Sequence, residues 1–219
     1  MKRVMMQLLR SIVTVVVVGT MAVMIFSLRA EVAEAKAKAR AATGGEPGLF
    51  ETIRTRTSVR KVDPARPVSE ADVEKILRAA MCAPSAMDRR PWEFVVVRDR
   101  AKLDALAKRL PYSRVGNGAQ VAIVVCGTTD NGLPGRSKEY WIHDCSAASM
   151  NILLAAKGLG LGAVWTGVYP GEERIAAVRE TLGIPDGYLP LNVIPLGYPA
   201  ENPTPKDKWN AAKVHRDQW

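Results

Sequence analysis

Histidine and cysteine are scarce in this chain of 219 residues, and their spacing excludes several kinds of site. The chain has two histidines and three cysteines. Cys82, Cys126 and Cys145 form no CxxC pair, so neither a zinc site nor a disulfide framework is indicated, although one disulfide stays open if the domain lies outside the cytoplasm. His143 and His215 lie far apart without a carboxylate pattern nearby, which argues against a histidine-based metal site or catalytic triad.

Dense basic runs and phosphate-binding loops are also missing. The formal net charge is +9, but residues 1–46 contain seven Lys or Arg against three Glu, so about +5 belongs to the rest. These remaining cations are scattered among acids, which argues against a nucleic-acid partner. The Gly-Leu-Gly-Leu-Gly run at 158–162 follows a predicted helix and precedes a strand, the reverse of a dinucleotide-binding turn, so these glycines mark a helix end.

One long apolar run opens the chain. Residues 11–28 carry no charge and follow three cations, which is typical of an export signal or a membrane anchor. The run is long for a signal peptide and short for a membrane span, and Ala33 and Ala35 offer a cleavage site. We therefore predict a signal peptide or N-terminal membrane anchor over 1–35, a linker over 36–46, and an exported domain over 47–219.

The rest of the sequence predicts an α+β domain. Capping residues and 3.6-residue periodicity predict helices at 49–55, from Ser69 onward, and at 101–109, 137–157 and 172–182. Runs of β-branched residues predict strands at 92–97, 121–126, 163–166 and 191–196. The irregular order of helices and strands favours an α+β layer fold over a doubly wound sheet. The tail after Gly197 is expected to wrap over a surface or a partner.

Four stretches of the domain suggest a binding site. Residues 56–60, Arg-Thr-Ser-Val-Arg, place two guanidiniums and two hydroxyls together, which makes a compact anion cradle. Residues 83–97 join a helix to a strand through a loop bounded by prolines. Residues 162–170 run from a strand into a loop where a glycine lets the backbone approach a flat ring. Lys206 and Lys208 form a second basic cluster near the C-terminus.

In this order and at these separations, the four stretches resemble the FMN-dependent nitroreductase family over about 170 residues. The resemblance implies a mixed β-sheet flanked by helices and a homodimer that binds FMN at the subunit interface. It implies neither a metal nor a catalytic side chain. The implied FMN-binding residues are Arg56, Thr57 (through its backbone), Ser58 and Arg60; Pro84, Ser85 and Asp88 of the other subunit; Thr166 and Gly167 near flavin N5; and Lys206 and Lys208 over the phosphate.

Two positions depart from the pattern of the family. Asp88 stands where the family usually has Asn, and Arg90 stands where it usually has Gln. A carboxylate can accept a hydrogen bond from flavin N3–H but cannot donate one, and its charge should disfavour an anionic reduced flavin. We expect Arg90 to neutralise Asp88 as an adjacent ion pair. Because of these departures, the redox potential and the substrate preference stay open, whereas flavin binding is still expected.

Several other side chains are expected to be structural. Trp141, Trp165 and Tyr140 are able to stack on a ligand, but aromatic residues in helices and strands are more often part of the core. His143 and Asp144 lie in the longest predicted helix and receive a structural interpretation as well.

The activity that the resemblance implies is an FMN-dependent oxidoreduction. A reduced donor, NAD(P)H or another donor if the domain is exported, passes electrons through flavin N5 to a nitroaromatic, quinone or similar small acceptor. Such chemistry requires little side-chain acid–base catalysis. Two alternatives stay open: a non-catalytic, membrane-tethered flavin-binding or redox-sensing module, and an interaction domain without a cofactor.

Overall fold

The computed structural model describes Met24, Glu31, residues 46–130 and residues 133–219, with the side chains of 46 and 47 excepted. The chain divides into two compact units, Met1–Glu51 and Thr52–Trp219. The predicted leader and linker fall almost entirely outside the described residues and stay predictions. Within the described part, no helix combines the length and the apolar character that crossing a membrane requires.

Helices and strands follow one another irregularly, which confirms the α+β class. The helices are α1 (Glu46–Thr55), α2 (Glu70–Met81), α3 (Arg100–Arg109), α4 (Tyr140–Gly158) and α5 (Glu172–Leu182). The strands are β1 (Trp92–Val97), β2 (Val121–Thr128), β3 (Gly162–Ala163), β4 (Thr166–Gly167) and β5 (Tyr188–Gly197). Short 3-10 helices lie at Ala86–Asp88, Gly135–Glu139 and Ala211–Lys213.

The strands form one sheet in the order β1-β2-β5-β3, and β4 also pairs with β5. Every pairing between the described strands is antiparallel. This corrects the expected mixed sheet: over the described strands β2, β3 and β4 all run opposite to β5, and β1 runs opposite to β2, so neighbours in the sheet are always antiparallel. The strand predicted at 163–166 is divided into β3 and β4. The division lies opposite Ile194 and Pro195 of β5, and a proline has no N–H to give to the ladder.

Helices cover both faces of the sheet, which explains why β2 is apolar along almost its whole length. Ile123 of β2 packs in a cluster with Ile76 of α2 and Ile152 of α4. Val124, the next residue, packs in the opposite cluster with Leu106 of α3. All five side chains are fully buried, and burying an aliphatic side chain contributes about 1.5–3 kcal/mol.

The segment that follows α1 is fixed against the sheet. Val59 N–H donates to the carbonyl of Ala163 in β3 at 3.0 Å. Val59 and Val62 are buried where two glycines leave room for them. A Cβ at Gly162 would lie 2.6 Å from Val59 Cγ1, and a Cβ at Gly197 would lie 2.7 Å from Val62 Cβ. This close packing holds the predicted anion cradle at 56–60 in a defined position.

The chain after β5 runs beside the same segment, as predicted for the tail. Asp63 N–H donates to the carbonyl of Tyr198 at 2.8 Å, and Ala200 N–H donates to the carbonyl of Lys61 at 3.0 Å. The tail therefore begins its course next to the first motif, and the C-terminal lysines follow from there.

Candidate functional site

A cavity of about 470 Å³ brings the first motif and the C-terminal lysines together. We call it the cationic cavity, because Arg56, Lys206 and Lys208 all line it. Guanidinium and ammonium groups in this arrangement suit the oxygens of a phosphate. The cavity also contains Asp207, whose carboxylate accepts the N–H of Trp209 at 3.0 Å. The remaining lining residues are Ile53, Arg54, Met150 and Pro205.

A second cavity, of about 440 Å³, brings the first motif together with the third. We call it the ring cavity. Arg60, Thr166 and Gly167 line it as the sequence predicted, and Thr166 Oγ1 donates to the carbonyl of Ser113 at 3.0 Å. A Cβ at Gly167 would meet nothing within 4 Å, so the backbone there is open to a flat group. The remaining lining residues are Arg109, Leu110, Pro111, Tyr112, Ser113, Arg114, Val164, Trp165 and Arg174.

The segment 56–60 connects the two cavities. Arg56 lines the cationic cavity and Arg60 the ring cavity, with Thr57 and Ser58 half-buried between them. Four residue steps span at most about 14 Å. The backbone N–H of Arg60 donates to Glu201 Oε1 at 2.5 Å, which ties this end of the segment to the tail. The segment therefore offers an anion-binding end and a ring-binding end to one elongated ligand.

The second motif, in contrast, contributes to neither cavity of its own chain. Pro84, Ser85 and Asp88 are absent from both linings. Asp88 instead forms a two-pronged ion pair with Arg90, with Nε to Oδ1 at 2.7 Å and Nη2 to Oδ2 at 2.5 Å. These hydrogen bonds hold the pKa of Asp88 below its ordinary value and raise the pKa of Arg90. The ion pair expected from the sequence is confirmed.

The backbone of this loop is strained. Met87, Asp88 and Arg90 have φ values of 53°, 54° and 49°, a left-handed region that residues other than glycine rarely adopt. Ser85 Oγ accepts the N–H of Arg90 at 3.0 Å and helps to fix the conformation. Strain of this kind persists only where the surroundings determine the conformation, and it is concentrated at functional sites.

Asp144 of α4 holds the start of the loop. Its side chain is only 6% exposed, and Oδ1 accepts the N–H of Ala86 at 3.0 Å. Oδ2 is buried without a hydrogen-bond partner among the described residues. Burial raises the pKa of Asp144, while the hydrogen bond from Ala86 and the nearby His143 act in the opposite direction. The structural interpretation of Asp144 is confirmed.

The aromatic residues divide between core and cavity. Trp141 is buried and packs edge-to-face on Tyr169, with ring centroids 5.0 Å apart, as predicted. The prediction of a core position was wrong for Trp165, which is 36% exposed and lines the ring cavity, and for Tyr140, which is exposed. The exposure of Trp165 depends on where the chain turns between β3 and β4, and the exposure of Tyr140 depends on where α4 begins.

The three cysteines are free. Cys126 and Cys145 are buried, and burial raises the pKa of Cys126 to about 12. Cys82 is exposed just after α2. The disulfide left open by the sequence does not form.

Sequence reasoning missed several polar residues of the ring cavity, among them Ser113, Arg114 and Arg174. Ser113 and Arg114 lie in the loop between α3 and β2, and Arg174 lies in the first turn of α5. Pro111 signalled that a loop follows α3, but no local pattern indicates that this loop lies beside Thr166. That contact arises only when the sheet and its helices pack.

The comparison with known proteins decides the family. A family model described as the nitroreductase family matches residues 53–111 and 106–198. Together these ranges include the first three motifs and nearly the whole sheet. The chain belongs to the nitroreductase family. The resemblance seen in the four stretches is therefore confirmed.

Similar proteins extend over the same part of this nitroreductase-family chain. A protein of Methanothermobacter thermautotrophicus with the assigned name NADH dehydrogenase/NAD(P)H nitroreductase is 49% identical over 172 residues, 78% of this chain and 87% of the relative. A crystal structure from Parabacteroides distasonis with the same assigned name is 51% identical, with a TM-score of 0.73 and coverage of 78% and 98%. A Desulfovibrio desulfuricans protein with the assigned name nitroreductase, crystallised with FMN, is 30% identical, with a TM-score of 0.67 and coverage of 80% and 99%.

Proposed function

We propose that this chain is an FMN-dependent oxidoreductase whose site consists of the cationic cavity, the ring cavity and the segment between them. The observation that carries the proposal is the meeting of Arg56 with Lys206 and Lys208, residues far apart in the sequence. The FMN in the Desulfovibrio desulfuricans relative supports the same cofactor. The non-catalytic alternative has no comparable support.

The donors of both cavities fit FMN. Arg56, Lys206 and Lys208 would hold the phosphate, and Arg60, Thr166 and Gly167 would hold the ring. Thr57 and Ser58 lie between these groups and would contact the connecting chain. Bound FMN would supply hydride and single-electron transfer.

The residues of the chain perform the remaining tasks. Arg60 carries positive charge to the ring cavity, where it would stabilise negative charge that develops on the ring. Gly167 leaves its backbone accessible, and Thr166 is held in place by its hydrogen bond to Ser113. The protein thus binds and orients the ring and adjusts the local charge.

A second copy of the chain is part of this proposal. Pro84, Ser85 and Asp88 lie outside both cavities of their own chain, and the resemblance assigns them to the flavin of the other subunit. Met87 in the same loop is 78% exposed, and Trp209 next to the cationic cavity is also exposed. A second subunit that packed on these side chains would remove their apolar surface from water, which favours association. We propose a homodimer with two equivalent sites.

The donor and acceptor depend on where the protein acts. The relatives' assigned names include NADH and NAD(P)H, and we propose a nicotinamide donor with a nitroaromatic, quinone or similar small acceptor. The charged and apolar pattern of residues 1–35 supports export. An exported enzyme would require a different donor, because nicotinamides are cytoplasmic.

An anaerobic redox experiment on the full chain, purified in mild detergent, tests the proposal. After FMN addition we expect flavin absorption at about 370 and 450 nm. NADH, NADPH or a quinol should bleach the band at about 450 nm, and the band should return when menadione or nitrobenzene is added. A protein that remains colourless with excess FMN would contradict the proposal and favour an interaction domain. Bound flavin that only dithionite reduces would favour the redox-sensing module.

A further inference from the structure

The ring cavity contains more positive charge than FMN requires. Its lining includes four arginines and no acidic residue. Arg109 is paired with Glu180, Nη2 to Oε2 at 2.6 Å. Arg60, Arg114 and Arg174 form no ion pair with any carboxylate that the structure describes. Cations gathered on one concave surface repel one another and attract an anion.

The cofactor does not account for this charge. The phosphate of FMN would lie in the cationic cavity, where Arg56, Lys206 and Lys208 provide its partners. In the ring cavity, Arg60 is the one arginine that the family resemblance assigns to the flavin. Arg114 and Arg174 therefore remain for a different ligand group.

The guanidinium of Arg174 is held in a defined place. Nη1 donates to the carbonyl of Gly167 at 3.2 Å, beside the open backbone of β4. Gly171 makes room for it, because a Cβ there would lie 2.4 Å from Arg174 Nε. A positioned guanidinium presents a planar fork to a carboxylate or phosphate.

Arg114 adds a further guanidinium to the same cavity from the loop between α3 and β2. Its φ of 63° is in the left-handed region, which non-glycine residues rarely adopt. Two aromatic residues line the same cavity: Tyr112, which is 82% exposed, and Trp165. Exposed aromatic rings stack on planar ligands.

From this combination we propose that the ring cavity selects a planar aromatic substrate that carries an anionic group, a carboxylate or a phosphate. Arg114 and Arg174 bind the anionic group, and Tyr112 and Trp165 contact the planar part. The proposal rests on the FMN-dependent function above. The anionic group belongs either to the acceptor, as in an aryl carboxylate, or to a phosphorylated nicotinamide donor.

A binding measurement tests the site without turnover. Benzoate and the neutral isostere benzamide are titrated into the FMN-loaded protein, and the flavin and tryptophan spectra report binding. We expect benzoate to bind at least about tenfold more tightly, and Arg114→Gln or Arg174→Gln to reduce that preference about tenfold. Arg78→Gln, an exposed arginine on α2 paired with Glu74, is the matched control and should change nothing. Equal binding of the two ligands to the wild-type protein would overturn the proposal, whatever the variants do.

Two kinetic comparisons identify the source of the anion. The acceptor comparison is kcat/KM for 4-nitrobenzoate against its methyl ester, and the donor comparison is NADPH against NADH. A preference of about tenfold or more for the anionic partner in either comparison, lost in Arg174→Gln, supports the proposal and names the source. Turnover that is equal for charged and neutral partners overturns it while leaving the oxidoreductase function intact. Loss of FMN binding and of all turnover would instead contradict the proposed function.

Discussion

At the residue scale, Asp144 shows how one buried carboxylate connects a helix to a site loop. Asp144→Ala removes the acceptor for the partly buried Ala86 N–H, and losing a hydrogen bond of this kind costs about 0.5–1.5 kcal/mol. Asp144→Asn keeps an oxygen at the same place. We therefore expect Asp144→Ala to lower the free energy of unfolding by that amount and Asp144→Asn to lower it less, as measured by urea denaturation. Equal stability of wild type and Asp144→Ala would contradict the role.

The raised pKa of Asp144 gives a pH dependence with a defined sign. The folded protein binds this proton more tightly than the unfolded chain, so protonation stabilises the fold. The contribution is complete below the unfolded pKa of about 3.9 and is lost as the pH rises through the higher folded pKa. Relative to Asp144→Asn, the free energy of unfolding of the wild type should fall across this window and be constant above it. A difference in the free energy of unfolding between wild type and Asp144→Asn that rises with pH would contradict the raised pKa of Asp144.

The Asp88–Arg90 pair should adjust the flavin potential in two opposite ways. If Asp88 lies near the flavin of the partner, as we propose, Asp88→Asn removes negative charge there and should raise the potential, whereas Arg90→Gln exposes the carboxylate and should lower it. Both side chains are exposed, so the shifts should be small and should decrease with added salt. Spectroelectrochemistry of the two variants and the double variant checks this. The double variant should return close to wild type, and shifts of the same sign in both single variants would contradict the pairing.

At the element scale, the packing of the segment 56–62 on β3 determines the geometry of the site. Gly162→Ala places a Cβ against Val59 and should lower the free energy of unfolding by about 1–3 kcal/mol, as overpacking does. Gly158→Ala at the end of α4 is the matched control, because its Cβ would meet nothing within 4 Å. That change should be neutral or stabilising by up to ~1 kcal/mol. Thermal unfolding and FMN titration of both variants test this, and equal behaviour would show that the segment is not held by this contact.

Local signals predicted most elements and little of their assembly. Ser69 caps α2 by accepting the N–H of Asp72, and the β-branched run at 92–97 is β1 with the predicted bounds. The division of the third strand depends on Pro195 of a neighbouring strand, which no local window contains. Arg114 and Arg174 were missed for the same reason, because their common cavity exists only after packing. The predicted FMN-binding residues came from the family resemblance, and the structure brings eight of them into one region: Arg56, Arg60, Thr166, Gly167, Lys206 and Lys208 line the two cavities, and Thr57 and Ser58 lie between Arg56 and Arg60.

At the scale of the whole molecule, positive charge is placed where the proposed ligands carry negative charge. About half of the net charge of +9 lies outside residues 1–46, and both cavities concentrate it. The loop at 84–90 is strained, firmly held and outside both cavities, which fits a role in the site of a second subunit. Export through residues 1–35 remains our proposal for the location of the proposed dimer.

The most direct test of the account compares FMN with riboflavin, which has the same ring and no phosphate. Titrations of the full chain by absorption and fluorescence should show FMN binding at least about tenfold more tightly than riboflavin, since charge-assisted hydrogen bonds in the cationic cavity reach only the phosphate. Arg56→Gln should remove most of this preference without changing riboflavin affinity, and Arg78→Gln should leave both affinities as they are. Equal affinity for the two flavins, or a preference that survives in Arg56→Gln, would contradict the claim that segment 56–60 and the two cavities form one FMN site.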